Sequence, residues 1–189
     1  MSELRNAVIL HAQRGGGKTT TALASIKKAR IAGYRVTGIL SQRVFLKENY
    51  PCYDILDLKT GETFPLVRPK DNTSSRDWDS LGNQVYNFST SGFVRVNDIL
   101  LSTSDDMTLK TIIFVDEYGR VESSHRGLYR GLLGILESKT EIGTIVILCR
   151  DDFVEEVSDL VKKYVDQIFV IKAGDPESLW KIIQNCCTK

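Results

Sequence analysis

The run Ala12-Gln13-Arg14-Gly15-Gly16-Gly17-Lys18-Thr19 constrains this chain more than any other feature. It follows a short apolar run, Ala7 to His11, that reads as a strand. It precedes Lys18 to Ala32, which reads as a helix with Ala22, Ile26 and Ala29 on one face. Consecutive glycines allow backbone conformations that turn several N–H groups toward one anion. The N-terminus of the following helix adds its partial positive charge. A strand, a Gly-rich turn ending in Gly-Lys-Ser/Thr and a helix together form the P-loop pattern. Residues Ala12, Gln13, Arg14, Gly15, Gly16, Gly17, Lys18, Thr19 and Thr20 are therefore the candidate nucleotide-binding set, for ATP, GTP or another nucleoside triphosphate. Lys18 is expected to reach the β- and γ-phosphates, and the Thr19 hydroxyl to ligate Mg²⁺. One position departs from the pattern: Ala12 stands where the first Gly belongs, which is acceptable if it keeps a negative φ.

The second signal is Ile112-Ile113-Phe114-Val115-Asp116-Glu117, an apolar strand closing on two acids. A carboxylate at the end of such a strand can hold Mg²⁺ opposite the loop, which makes Asp116 the second candidate metal ligand. Glu117, next in the chain, is the candidate group that orients or deprotonates the attacking water. Lys18 and Glu117 are thus the candidate catalytic pair.

The order of elements agrees with a parallel sheet. Tyr34 to Leu40 reads as a second strand, so the chain begins as a βαβ unit, and Gly33 is a helix C-cap candidate. Arg43 to Phe45, Tyr53 to Leu58 and Thr63 to Val67 look like short strands around the turn Lys59-Thr60-Gly61-Glu62. Arg68 to Asp79 is polar and reads as a loop. Gln84 to Phe88 follows as a strand and Gly92 to Leu101 as a helix. Helix Arg126 to Ser138, strand Thr144 to Cys149, helix Phe153 to Tyr164, strand Gln167 to Ile171 and helix Pro176 to Cys186 complete the reading, with Asp175 as N-cap. The expected fold class is α/β, a RecA-like P-loop domain with a mostly parallel sheet and a small antiparallel insertion. The expectation is one domain over residues 1–189, with the insertion at about 43–67.

Composition narrows the setting. Hydrophobic residues are 42% and charged residues 26%, the balance of a water-soluble globular chain. No apolar run approaches the roughly 18 residues of a membrane span, so a cytoplasmic protein is expected. The four cysteines show no Cys-x-x-Cys spacing, and with two histidines no metal-ligand pattern emerges. Residues 1–50 carry nine Lys/Arg against two acids, so the other residues carry −6 of the net +1. That basic N-terminal stretch permits nucleic acid, but the phosphates of a nucleotide already account for it.

Gly-Lys-Thr-Thr at 17–20 followed by Asp-Glu-Tyr-Gly-Arg-Val-Glu at 116–122 resembles the THEP1-type nucleoside-triphosphatases. Those proteins have a Gly-x-Gly-Lys-Thr-Thr loop and an Asp-Glu-x-Gly-Lys-x-Glu stretch. Thr37 to Leu40, Tyr53 to Glu62 and Phe88 to Leu100 are similar to the family's intervening segments, so the resemblance spans about residues 7–172. It implies a Mg²⁺-dependent triphosphatase with slow turnover and broad nucleotide choice. The arginine of the family's Gly-x-Arg-x-Gly-Phe stretch is missing from Lys47 to Tyr53, and Arg14 and Arg43 are the candidates to replace its charge. Arg120 could place phosphate or pair with Glu122. Arg150, after the strand Thr144 to Cys149, reads more readily as a surface ion pair than as a phosphate sensor. Trp78, Trp180, Tyr118 and Phe93 read as packing residues.

The reading that follows is Mg²⁺-dependent hydrolysis of a nucleoside triphosphate by in-line water attack. The rivals are a P-loop transferase, a nucleotide switch and an RNA-associated NTPase. Gly-Lys-Thr-Thr-Thr-Ala at 17–22 is similar to ATP:corrinoid adenosyltransferases as well, and a small-molecule kinase would use the same loop. No Asn-Lys-x-Asp run specifies guanine.

Overall fold

In the computed structural model, residues 6–45, 51–73, 75–103, 107–138 and 143–187 are described. Strand β1 (Asn6–His11) leads through the glycine loop into α1 (Lys18–Ile31). The helix ends in a Schellman turn: Gly33, at φ 81°, lets its N–H reach Arg30 O and the Tyr34 N–H reach Ala29 O. Strands β2 (Arg35–Phe45), β3 (Pro51–Asp57) and β4 (Thr63–Pro69) follow, then β5 (Trp78–Asp79), β6 (Tyr86–Ser89) and α2 (Thr90–Ser102). The second half is β7 (Thr111–Tyr118), α3 (Arg120–Ser123), α4 (Tyr129–Glu137), β8 (Thr144–Cys149), α5 (Val154–Val161), β9 (Gln167–Lys172) and α6 (Pro176–Cys187).

All nine strands form one sheet in the order β5-β6-β4-β3-β2-β7-β8-β1-β9. From β2 to β9 the pairings are parallel; from β3 outward they are antiparallel. The middles of the central strands are continuous apolar runs, yet their side chains still divide by the period of two. Ile9, Ile113, Val115, Ile145 and Ile147 face a core closed by Val96 and Leu100 of α2, Leu132 and Ile135 of α4 and Val157 of α5. Val8, Leu10, Ile112, Phe114, Val146 and Leu148 face the opposite core, closed by Ala22, Ile26 and Ala29 of α1 and by Leu179, Trp180 and Ile183 of α6. Tyr34 meets Trp180 edge to face at 5.8 Å. Asn6, buried at the amino end of β1, donates to Cys186 O at 3.2 Å and ties α6 to the first strand.

Because β8 lies between β1 and β7, the glycine loop and the end of β7 flank the carboxyl end of β8. That is the crevice where open α/β sheets bind ligands.

Several boundaries differ from the sequence expectation. The strands expected at Tyr34 to Leu40 and Arg43 to Phe45 are one strand, β2, whose first half pairs in parallel with β7 and whose second half pairs antiparallel with β3. The antiparallel strands run to Ser89, past the expected insertion limit near 67, and the polar stretch 68–79 contains the end of β4, a single 3-10 turn and β5. β7 continues beyond Val115 to Tyr118. The helix expected from Arg126 begins only at Tyr129, since His125 and Gly127 take positive φ and break it from α3. A 3-10 turn, Asp151–Phe153, precedes α5, which stops at Val161, short of the expected Tyr164. Helix α2 starts two residues early because Ser89 caps it, its Oγ accepting from Gly92 N. Of the segment Lys47 to Tyr53, where the family's arginine is missing, residues 47–50 lie outside the described residues.

Candidate functional site

The glycine loop is built by two residue-level constraints. Gly15 and Gly17 lie at φ 77° and 81°, a region closed to most side chains. A Cβ on Gly16 would sit 2.7 Å from the Ala12 Cβ and 3.0 Å from Gln13 O, whose carbonyl accepts from Gly16 N at 2.9 Å. Ala12 itself satisfies the expectation set for it: among the described residues only Leu81 and His125 are non-glycines at positive φ. Its methyl occupies space that a side chain at 16 would need. Gly17 is the N-cap of α1 and supplies no side-chain cap, and the first turn of the helix carries no acid. The positive end of α1 is therefore left uncompensated at the loop. Gln13, Arg14, Gly15, Gly16 and Thr20 are exposed, whereas Lys18 is buried.

The acids of β7 meet the loop. Asp116 is 1% exposed. Its Oδ2 accepts from Thr19 Oγ1 at 2.9 Å and from Ser41 N at 3.1 Å. Its Oδ1 is buried with no hydrogen-bond partner among the described residues. Burial, with the neighbouring Glu117 charge behind it, pushes the Asp116 carboxyl up to about 7 against the pull of those hydrogen bonds and of Lys18. Lys18 Nζ lies 3.3 Å from Glu117 Oε2 and donates to Ala12 O at 3.3 Å, so the two candidate catalytic groups pair with each other. Thr19 and Asp116, ninety-seven residues apart, and Lys18 and Glu117 are thus brought together as expected from the two motifs.

Around this centre the structure assigns partners that sequence left open. Glu122 does not pair with Arg120. It is buried, accepts from Gly119 N at 3.1 Å and Leu128 N at 3.3 Å, and closes the turn after β7. Burial raises its carboxyl to about 7. Arg150 bonds Asp152 at 2.6 Å, the surface ion pair anticipated for it. Tyr118 is a core residue whose hydroxyl donates to Glu156 at 2.7 Å, and Phe93 stacks on Phe88 at 6.0 Å. Cys149 is fully buried at the end of β8, and burial pushes its thiol up to about 12. Arg43 lies over the Phe45 ring at 4.9 Å, on the outer half of β2. Arg14 instead reaches Tyr86, its Nη2 donating to the hydroxyl at 3.4 Å, with Tyr53 as an electrostatic neighbour.

Sequence reasoning missed Ser41, which holds the Asp116 carboxylate. Its signal was present, since the apolar run of β2 closes on Ser41 just as that of β7 closes on Asp116. It also missed Tyr53 and Tyr86, for which no local signal exists.

A family model described as NTPase matches residues 7–184. No curated protein sequence matches the chain. Two solved structures are similar over nearly their whole lengths. The crystal structure of THEP1 from the hyperthermophile Aquifex aeolicus is 14% identical with a TM-score of 0.64, covering 97% of this chain and 99% of that one. The solution structure of a human cancer-related nucleoside triphosphatase is 19% identical with a TM-score of 0.67, covering 97% of each chain. At these identities the two structures speak to the fold, and they bear out the expected α/β architecture with its mostly parallel central sheet.

Proposed function

The chain belongs to the NTPase family, and from that premise we propose that it hydrolyses nucleoside triphosphates with Mg²⁺, as a nucleotide-binding domain spanning residues 1–189. The observation that carries the reading is the buried Asp116 carboxylate, one oxygen held by Thr19 and Ser41 and the other without a partner. A buried polar atom left unsatisfied is costly, and it commonly marks a site built for a missing ligand. A hydroxyl and a carboxylate beside a phosphate-shaped loop are hard oxygen donors. They suit Mg²⁺, which keeps waters and substrate oxygens in its shell instead of a full protein cage. Thr19 and Asp116 would hold the ion, which when bound neutralises charge on the β- and γ-phosphate oxygens.

The chain's own groups do the rest. The loop N–H groups and the α1 N-terminus bind the phosphates. Lys18 exchanges its contacts with Ala12 O and Glu117 for the β- and γ-phosphate oxygens. That exchange frees the Glu117 carboxylate, which orients a water and accepts its proton. The water oxygen bonds to the γ-phosphorus as the bond from phosphorus to the β–γ bridging oxygen breaks, and the nucleoside diphosphate leaves with that electron pair. The burial of Lys18 and Asp116 places both in a low-dielectric site, where preorganised charge acts most strongly. A cytoplasmic setting belongs to the same reading and follows from a sequence with no paired-cysteine spacing and no apolar run of membrane-span length.

Phosphate release measured with ATP, GTP, CTP and UTP, each with Mg²⁺ and with EDTA, tests the proposal. Release that requires Mg²⁺ supports it. Tight binding without release from any nucleotide would overturn it in favour of a switch or a transferase.

A further inference from the structure

Arg14 is exposed, yet its side chain is held. Nη2 donates to the Tyr86 hydroxyl at 3.4 Å, the guanidinium carbon lies 5.8 Å from the Tyr86 ring centroid, and Tyr53 is an electrostatic neighbour of the guanidinium. Tyr53 is on β3 and Tyr86 on β6, both in the antiparallel part of the sheet beyond β2. The sheet order decides which end of a bound triphosphate this side chain overlooks. β9 lies on one flank of β1; β8, β7, β2 and then β3, β4 and β6 lie on the other. A side chain that leaves the loop after β1 and reaches β3 and β6 extends toward the flank that carries Asp116 and Glu117. On the reading proposed above, that is the flank where the γ-phosphate is attacked.

We propose that Arg14 is an arginine supplied from within the loop to the γ-phosphate, and that Tyr53 and Tyr86 position it there. The inference rests on the hydrolytic reading for its chemistry and on the sheet order for its geometry. A guanidinium presents a planar fork of donors that matches two phosphate oxygens at once. Transition-state charge in phosphoryl transfer spreads over the γ-oxygens, where an arginine acts most strongly. The Tyr86 hydroxyl accepts a hydrogen bond from the guanidinium without neutralising it, the Tyr86 ring limits where it can swing, and Tyr53 adds an uncharged polar neighbour. Neither neighbouring arginine is available in this way: Arg43 lies against Phe45, and Arg150 is paired with Asp152. No acid pairs with Arg14 among the described residues, which leaves its charge for an anionic ligand.

The test compares wild type with Arg14→Ala, Arg14→Lys and the double variant Tyr53→Phe/Tyr86→Phe. The readouts are phosphate release from Mg-ATP and titration of a fluorescent ADP with and without aluminium fluoride, which mimics the transferring phosphoryl group. Arg14 is exposed, so the alanine variant is expected to fold. Arg14→Ala should lower kcat by about 10²–10³. It should also abolish most of the affinity gained on adding aluminium fluoride, while ADP alone binds within about threefold of wild type, a difference under about 0.7 kcal/mol. Arg14→Lys should restore only part of kcat, because a point charge replaces the fork. The tyrosine pair variant should lose about tenfold in kcat with ADP affinity unchanged, since only positioning is affected. Unchanged kcat and unchanged aluminium fluoride binding in Arg14→Ala would overturn the proposal and leave Arg14 a strut between the loop and β3 and β6. Equal losses for ADP with and without aluminium fluoride would overturn it too, by placing Arg14 at the inner phosphates. If wild type releases no phosphate but binds ATP over ADP in an Arg14-dependent way, the hydrolytic reading fails and the placement of Arg14 stands.

Discussion

Glu122→Gln exchanges a buried carboxyl for an amide of almost the same size, and its effect on stability is expected to change sign with pH. Glu122 is 5% exposed, and burial raises its pKa from 4.5 to about 7, although the Gly119 and Leu128 N–H groups pull the other way. In the unfolded chain the group ionises first. Between pH 4.5 and about 7 the folded protein therefore binds the extra proton, so stability falls as pH rises through that window. Above it the whole cost is present, about 3 kcal/mol for a gap of that size, whereas at pH 5 it is below about 1 kcal/mol. Glutamine does not titrate, but its one carbonyl oxygen must serve two N–H groups that now share a carboxyl, a loss of about 1 kcal/mol. The variant should then match or fall slightly below wild type at pH 5 and exceed it by about 2 kcal/mol at pH 8. Urea unfolding followed by the fluorescence of Trp78 and Trp180, at constant ionic strength and with EDTA, measures the difference. A wild-type–variant gap that stays constant from pH 5 to pH 8 would refute the reasoning, and so would one that grows in favour of wild type as pH rises.

Lys18→Ala should cut phosphate release by about 10²–10³ through loss of a buried charge at the β- and γ-phosphates; near-normal turnover would exclude that role. Glu117→Gln should lower release by about 10²–10⁴ while nucleotide Kd moves by less than about tenfold. A parallel collapse of binding would instead show that the metal site had been disturbed. Gly16→Ala should weaken nucleotide binding in a titration, since its Cβ would meet the Ala12 methyl at 2.7 Å. Ala12→Gly alone should cost at most about 1 kcal/mol of stability, and combining the two should recover much of the lost affinity. A double variant no better than Gly16→Ala would place the clash at Gln13 O instead.

The two motifs were legible because their chemistry is local in sequence: a phosphate cradle needs adjacent N–H groups, and a metal carboxylate needs only the end of a strand. Their meeting could be inferred since sheet order is constrained by the pattern of strands and helices. Boundaries failed where local preference and tertiary demand disagree. Asp116 and Glu117 are poor strand formers, yet β7 runs through them because Asp116 pairs with Leu148 and Tyr118 with Cys149, Glu117 being the extra residue at the register shift between them. Ser41 and Gln42 look like a break, but β2 runs through them by changing partners from β7 to β3. The helical pattern from Arg126 was real only from Tyr129, because a histidine at φ 57° is not visible as such in a sequence. The contact of Arg14 with Tyr86, seventy-two residues away, follows from how four antiparallel strands hang on β2, and no short-range signal encodes it.

The hydrogen bond from Asn6 to Cys186 has a practical use. It brings the first and last described elements together at the amino end of β1, whereas the glycine loop leaves from the carboxyl end. Six residues of strand separate the two points, about 20 Å at the usual rise. Cys187, partly exposed beside this junction, offers a thiol for a fluorophore remote from the phosphates. A dye there would report on the protein without touching the chemistry. An immobilising linker at the same place would leave the loop facing solution, which suits single-molecule measurements of how long each nucleotide stays bound.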